Sequence, residues 1–496
     1  MPAPGSTTLG EITRRVDGQL IGDPGIRVAD VTHDSRRAGP EVLFVAVRGG
    51  EHDGHDFVAS AVAAGAPAVA VESAQEVEVG QIVVGDTRAA MGPMAAQVHG
   101  DPSTALAVVG VTGTNGKTTV THYVESLLTS AGRVAGLIGT VETRVGPTVI
   151  PTSRTTPEAT DFQRLLAAMR ELGAEVVAAE ISSHALEMSR VAATRFAVAA
   201  FTNLSQDHLD FHGTMSSYRR AKERLFREYE VGTAVINVGD PVGADMARWV
   251  KTPLIRVGPG GEIRAENVDT SRYESVFDLV TEGATFPVRS GPVGIFNVEN
   301  ALVAVGCCLA LGLGVEEIGP GLEKLTPVPG RFEQVSAAGP FRVIVDYAHT
   351  PGGIEQAIAV ARSIGATRVI AVVGAGGDRD REKRPMMGRA ASAADVAILT
   401  SDNPRSEEPD RILDEVASGA SGPGVIVEVD RRRAIERAIG AAKQGDVVLV
   451  LGKGHETGQE IGGDVLPFDD RVVAREILRS GAGSADSGAD SGSMSR

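Results

Sequence analysis

The chain has 496 residues, which suggests about three domains at roughly 150 residues each. At 42% hydrophobic and 23% charged it can bury several ordinary cores, while a formal charge of −16, one Trp and five Tyr argue against a nucleic-acid binder, which would carry a basic footprint. The two cysteines, Cys307 and Cys308, are adjacent, which excludes a disulfide scaffold and fits a reduced compartment.

The opening MPAPGSTTLGEI has no basic segment followed by an apolar run, so no secretory signal is expected. No window approaches the roughly 18 uninterrupted apolar residues of a membrane span. A soluble, acidic, cytoplasmic protein is expected.

Residues 1–102 contain short strand-like runs (RVADVTHDS, VLFVAVRG, APAVAVES, QIVVGD) between Gly, Pro and Asp. A second block, 103–328, opens with ALAVVGV and alternates strands with helical patterns. Its first loop, VTGTNGKTT, departs from the strict phosphate-loop template, because Val111 stands where the first glycine belongs. The context still fits a phosphate cradle. A buried strand to Val111 precedes it, and a helix from Thr118, ending near Gly132, follows. Gly113, Thr114, Asn115, Gly116 and Thr119 would line it with backbone N–H donors at a helix N-terminus. Lys117 can reach terminal phosphates and the Thr118 hydroxyl can ligate Mg²⁺.

The next strand, in AEVVAAEISSHAL, ends in Glu180, which can complete a metal shell beside Thr118 or be a solvated strand-end carboxylate. AVAAFTNLSQDHLDFH leads into Asp207, His208, Asp210 and His212; His208 alone would more often be structural than a ligand. In SYRRAKERLFREY, Tyr218, Ala221, Leu225, Phe226 and Tyr229 share one helical stripe and Lys222 lies inside it, with Glu223 and four arginines on the other faces. A buried ammonium is costly, so Lys222 snorkels, pairs with an acid, or is chemically altered.

TPVPGRFE, 326–333, is Pro/Gly punctuation between blocks. The third block, 329–480, repeats strand, loop and helix, with polar residues after each strand: Asp346 and His349, Asp378 and Arg379, Asp402 to Arg405, Lys453 to Glu456. In open α/β sheets ligands bind at that edge. Near-continuous Val/Ile/Leu strands separated by helices imply an α/β fold with mostly parallel sheets. The segment 481–496 is Gly/Ser/Asp-rich and is expected to be disordered.

With these segments together the chain resembles the Mur ligases, cytoplasmic enzymes that add amino acids to the UDP-N-acetylmuramoyl peptide of peptidoglycan. The resemblance runs to about residue 475 and rests on TGTNGKTT (112–119), TTPE (155–158), EISSHAL (180–186), TNLSQDHLDFHG (202–213), YxxAKxxLF (218–226), GIFNVENALVA (294–304), GRFE (330–333), DYAHTP (346–351), DNPR (402–405) and GKGHE (452–456). It implies three domains: one for the UDP-muramoyl peptide, a central P-loop-type ATPase, and a C-terminal Rossmann-like domain for the incoming amino acid. In this family the loop has the TGTNGKTT form, so Val111 is expected there.

The resemblance further implies that Lys222 is carbamylated, with Thr118 and Glu180 at one Mg²⁺, and His208 and Lys222 at a second, where Mn²⁺ can substitute. Lys117, Lys222, His208 and Glu180 are the expected catalytic group. Asn297, Arg331, Asp346 and His349 are expected at ATP. Ser35, Gly50, Glu51 and His52 match uridine-side contacts, and Thr155, Thr156, Ser182 and Arg190 match muramoyl-peptide contacts.

Arg154 and Met188 depart from the pattern best known for members that add diaminopimelate, which often carry Asn and Gln there. Those members nevertheless resemble this chain at Asp402, Asn403, Pro404 and Arg405, with Arg379, Gly452 and Glu456 matching the rest of the amino-acid site. A guanidinium at Arg405 suits the extra carboxylate that distinguishes meso-diaminopimelate from lysine. The expected activity is ATP-dependent addition of meso-diaminopimelate to UDP-N-acetylmuramoyl-L-alanyl-D-glutamate through an acyl phosphate, by a monomer. The runners-up are a lysine-adding sibling, a folate polyglutamylating ligase and a nucleotide switch without ligase chemistry.

Overall fold

The computed structural model describes residues 6–50, 52–152, 154–336 and 339–485. Three sheets carry the architecture, each at the position of one sequence block.

The first is five-stranded, in the order Gln19–Ile21, Gly80–Val83, Ala68–Val71, Val42–Val45, Asp30–Thr32, and only the Gln19–Ile21 edge runs antiparallel. Its Val/Ala-rich inner strands are buried on both faces, as parallel strands flanked by helices require.

The central sheet has eight strands. Ala107–Thr112 lies in its interior, parallel to Val176–Glu180 on one side and Phe196–Phe201 on the other. Helix Lys117–Ser130 follows immediately, packing Val120, Val124, Leu127 and Leu128 onto the sheet. Val111 is fully buried and paired with Glu180, so the strand continues one residue past it before the loop turns at Gly113. At this position a core side chain, not a turn glycine, is what the sheet needs.

The alternation of strand and helix does not persist to residue 328. A three-stranded antiparallel sheet, Arg264–Arg272, Glu274–Thr281 and Ala284–Ser290, interrupts it before helix Ile295–Ala310. The middle strand turns Phe277 and Leu279 into the same core as the phosphate-loop helix.

The third sheet runs Glu333–Gln334, Arg342–Asp346, Val447–Leu451, Val369–Ala375, Val396–Ser401, Val425–Val427, antiparallel only at its first edge. The last helix, Asp470–Ala485, reaches five residues into the stretch expected to lack structure, and residues 486–496 lie outside the described residues. No helix among the described residues is long and apolar enough to cross a membrane.

Candidate active site at the junction of two sheets

One cavity collects the phosphate-loop residues singled out in the sequence with several of the others. Its central-domain wall is Thr114 to Thr119, Thr155, Glu180, Ser182 and His208, and its C-terminal wall includes Arg331, Asp346 and His349. The phosphate loop supplies the floor. Gly116 has φ +87°, and a Cβ there would sit 2.3 Å from Asn300 Oδ1, so only glycine fits the turn that starts the helix. The Lys117 ammonium folds back onto the carbonyls of Gly113 and Thr114 at 3.0 and 2.8 Å. Burial pushes its pKa down, against the pull of Glu180 and Asp207.

The Thr118 hydroxyl donates to Glu180 Oε2 at 2.9 Å, and Thr140 donates to both Glu180 oxygens through its backbone N–H and its hydroxyl. Arg331, from the linker, donates to Thr118 Oγ1 at 2.8 Å and stacks its guanidinium 4.4 Å from the Tyr347 ring centre. Arg331 Nε is buried beside the phosphate loop with no hydrogen-bond partner among the described residues. An orphaned guanidinium donor facing a loop of this kind is what an anionic phosphate would satisfy.

Helix Met215–Arg227 turns Tyr218, Ala221, Lys222, Leu225 and Phe226 inward, as the stripe requires. Tyr229 falls beyond its end. Glu223, expected on another face, is also buried, because Arg219 and Arg227 of the same helix clamp its carboxylate at 2.6 and 3.1 Å. Lys222 neither snorkels nor pairs with an acid: its Nζ donates to the Gly113 carbonyl at 2.6 Å and lies 4.3 Å from the Tyr218 ring centre. Burial, with Lys117 nearby, holds its pKa well below the usual lysine range. A shift in that direction favours the neutral amine, the nucleophilic form that reacts with CO₂.

His208 has φ +56° and follows Asp207, whose buried carboxylate is approached by three side chains: His208 and His349 at 3.4 and 3.6 Å, and Lys383 at 3.1 Å. Burial alone would push Asp207 up, but His349, Lys383 and His208 outweigh it and keep the carboxyl well below its ordinary range. Burial takes the His208 ring down to about 3, leaving it neutral at pH 7.

The hard oxygens of Thr118 and Glu180 fit a magnesium-type ion. The second expected set does not fit as it stands. Among the described residues no cluster of three His, Cys, Asp or Glu side chains could hold a metal, and an amine at Lys222 offers a cation no anionic oxygen. A carbamate on Lys222 would supply two.

Several expectations need correcting. Asn297 faces the core, donating to the Val293 carbonyl and accepting from Tyr123, and it is Asn300, one helical turn on, that lines the cavity. Thr156 is buried with its hydroxyl on the Glu180 carbonyl, so it braces the strand end. Ser35 borders a second cleft, between the first two domains, walled by His33, Asp34, Arg36, Arg37, Arg154 and Glu158 among others; Gly50 and His52 are exposed away from it, and Glu51 lies outside the described residues. Arg190 reaches Glu158 Oε1 at 3.0 Å and Met188 Sδ at 3.3 Å, while Arg154 holds the same oxygen at 2.9 Å. The two departures from the family pattern are therefore parts of one cluster. Sequence reasoning missed Thr140, although it follows a strand end (Ala135–Ile138) just as Glu180 does.

At the C-terminal sheet edge, Asp402, Asn403 and Pro404 are buried and Arg405, at φ +52°, is partly exposed. Arg405 donates to the Gly377 carbonyl at 2.7 Å and pairs with Glu460 at 3.3 Å. Gly452, at φ +118°, leaves room for Asp402, whose Oδ2 would be 2.4 Å from an added Cβ. Asn403 donates to Glu456 Oε2 at 2.7 Å. Arg379 is exposed and, among the described residues, bonds the Asp378 carbonyl.

Three family descriptions match in order: "Mur ligase family, catalytic domain" over residues 27–100, "Mur ligase middle domain" over 111–308, and "Mur ligase, glutamate ligase domain" over 330–454. The chain belongs to the Mur ligase family.

The UDP-N-acetylmuramoyl-L-alanyl-D-glutamate–2,6-diaminopimelate ligase of Geobacillus thermodenitrificans is 46% identical over 470 residues, covering 92% of this chain and 96% of that protein. The enzyme of the same name from Streptomyces coelicolor is 42% identical over 491 residues, covering 96% and 97%. A solved structure of a ligase of that name superposes with a TM-score of 0.69 at 31% identity, covering 96% of this chain and 99% of its own. The Thermotoga maritima MurF ligase in complex with ADP shares the fold, with a TM-score of 0.63 at 20% identity over 91% of this chain and 96% of its own.

Proposed function

We propose that the chain joins meso-diaminopimelate to UDP-N-acetylmuramoyl-L-alanyl-D-glutamate, using ATP, in the cytoplasmic synthesis of peptidoglycan precursor, and that it works as a monomer. The observation that carries this reading is the single cavity in which a phosphate loop and a strand-end carboxylate meet Arg331, Asp346 and His349 from the neighbouring domain. That is the arrangement needed to bring a carboxylate, a triphosphate and an amine together.

An oxygen of the D-glutamate γ-carboxylate attacks the γ-phosphorus of ATP, and the bond to the bridging oxygen breaks to release ADP. The amine nitrogen of diaminopimelate then attacks the acyl-phosphate carbonyl. The tetrahedral intermediate collapses with loss of phosphate and a proton, leaving an amide. Lys117, Arg331 and the N-terminus of helix Lys117–Ser130 offset charge on the transferring phosphoryl. Magnesium or manganese, when bound, adds to that neutralisation; Thr118 and Glu180 would hold one ion, and His208 with a carbamylated Lys222 a second. Asp346 and His349 close on the nucleotide as the domains meet.

The 39–46% identity to relatives named as diaminopimelate ligases supports the choice of amino acid, as does Arg405 at the sheet edge. The test is ADP formation by purified protein with the UDP-muramoyl dipeptide and a panel of amino acids. Turnover with meso-diaminopimelate and little with lysine or glutamate is expected; turnover independent of any amino acid would sink the reading.

A further inference from the structure

Lys453 is fully buried, yet its ammonium is saturated: its three N–H donors meet Asn403 Oδ1 at 2.9 Å, Glu456 Oε2 at 3.0 Å and the Gly458 carbonyl at 2.6 Å. These acceptors belong to three separate pieces of chain: the loop after strand Val396–Ser401, the turn after strand Val447–Leu451, and the first residue of strand Gly458–Ile461. The Asn403 amide is thereby fixed in one orientation. Its oxygen takes Lys453 and the backbone N–H of Glu460, and its nitrogen gives to Glu456 Oε2.

Both bonds to the Glu456 carboxylate land on Oε2. Among the described residues none reaches Oε1, and the side chain is partly exposed. Arg405 is held in the same way by the same strand, since Nε pairs with Glu460, NH1 is on the Gly377 carbonyl, and its backbone bridges to Ile461. Beside the buried carboxylate of Asp402, the edge therefore carries two matched charge pairs, Lys453 with Glu456 and Arg405 with Glu460. Among the described residues each pair is left with one arm that makes no hydrogen bond, the Oε1 acceptor on Glu456 and the NH2 donor on Arg405.

We propose that Lys453 is a positioning residue for amino-acid selection: it neutralises Glu456 and aims its second oxygen, so that this carboxylate and Arg405 together accept a zwitterionic amino-acid head. An ammonium on Oε1 and a carboxylate on Arg405 add no net charge to the edge. A bare ammonium, as at the end of lysine, would add a positive charge and bring no anion to Arg405. This rests on the amino-acid role proposed above for the edge, and Lys453 acts through Asn403 and Glu456 without touching substrate.

The test is a comparison of Lys453→Met, Glu456→Gln and the double variant with the wild-type chain in steady-state kinetics. In Lys453→Met the KM for diaminopimelate rises about 10–100-fold, the size seen when an orienting partner behind a ligating group is lost. The KM values for ATP and the UDP-muramoyl dipeptide stay unchanged, and the preference for diaminopimelate over lysine narrows. Adding Lys453→Met to Glu456→Gln costs much less than Lys453→Met alone, because the charge it compensates is already gone.

Should Lys453→Met fail to fold, the double variant, which removes both charges, is expected to fold and to keep its ATP KM; loss of both variants overturns the proposal, making Lys453 a structural residue only. If diaminopimelate drives turnover in the wild-type chain but its KM is unchanged in Lys453→Met, or the two substitutions are additive, the positioning role falls alone. A wild-type chain indifferent to diaminopimelate would overturn the functional reading, and this proposal with it.

Discussion

Glu180 Oε2 accepts from the Thr118 hydroxyl at 2.9 Å across 62 positions of sequence, and the parallel register that sets Glu180 opposite Val111 is what makes them neighbours. Val111 therefore matters to the chemistry without entering the cavity. It carries the strand far enough that the carboxylate on the next strand arrives level with the first turn of the helix.

The Lys222 reading makes a direct prediction. Lys222→Ala removes a buried amine that touches the phosphate loop, and turnover should fall to background. Short-chain carboxylates added to the assay should restore part of it by supplying the missing anionic oxygens. Undiminished activity in the alanine variant would exclude a carbamate at this position.

For Arg405, replacement by alanine leaves Glu460 without its partner and the edge without its donor. The KM for diaminopimelate should rise by the equivalent of ~2–5 kcal/mol, the range for truncating one member of a desolvated charged pair. An unchanged KM would place selection elsewhere.

Asn297 and Asn300 can be told apart. Asn300→Ala, which removes a group from the cavity wall, should raise the KM for ATP and leave the thermal midpoint nearly in place. Asn297→Ala should do the reverse, since its side chain bonds inside the core, with a loss on the order of 1–2 kcal/mol for a buried polar partner. Calorimetry beside nucleotide kinetics checks both.

Gly116→Ala should damage both properties at once. Its φ of +87° is costly for alanine, and the added methyl would meet Asn300, so stability drops by roughly 1–3 kcal/mol and the ATP KM rises. A variant with wild-type kinetics would mean that the loop relaxes freely.

The contact between the first two domains should have an acid limit. Burial pushes the Asp30 carboxyl up, but His99 at 3.2 Å and Arg164 at 2.9 Å outweigh it and hold it at about 2, below its ordinary 3.8. A depressed folded-state value means that the stabilisation is fully present above the unfolded value and is lost as pH falls from near 4 towards 2. Asp30→Asn should lower the thermal midpoint at neutral pH and flatten its decline over that acid window. A variant that declines as steeply as the wild type would remove Asp30 from the account.

Strands and the phosphate loop were legible because they depend on short-range patterns: apolar runs, glycines before a lysine, polar residues after a strand end. Lys222 stood out since its position on an apolar stripe can be counted. Glu223 did not, because its burial depends on two arginines of the same helix folding over it. The antiparallel sheet at 264–290 escaped notice because strands such as RAENVDTSR carry little apolar signal and gain their order from pairing. Asn297 was named and Asn300 passed over because the helix's rotation about its axis is fixed only by its packed neighbours.

Arg331 belongs to the connection between two domains, yet it is also a wall of the cavity and a donor to Thr118. The length of that connection is thus a parameter of the reaction. One residue inserted between Val328 and Gly330 would alter no sheet and no helix, but it would move the guanidinium that meets Thr118 off its mark. Evolution can rework the amino-acid edge piece by piece; this hinge it must keep to measure.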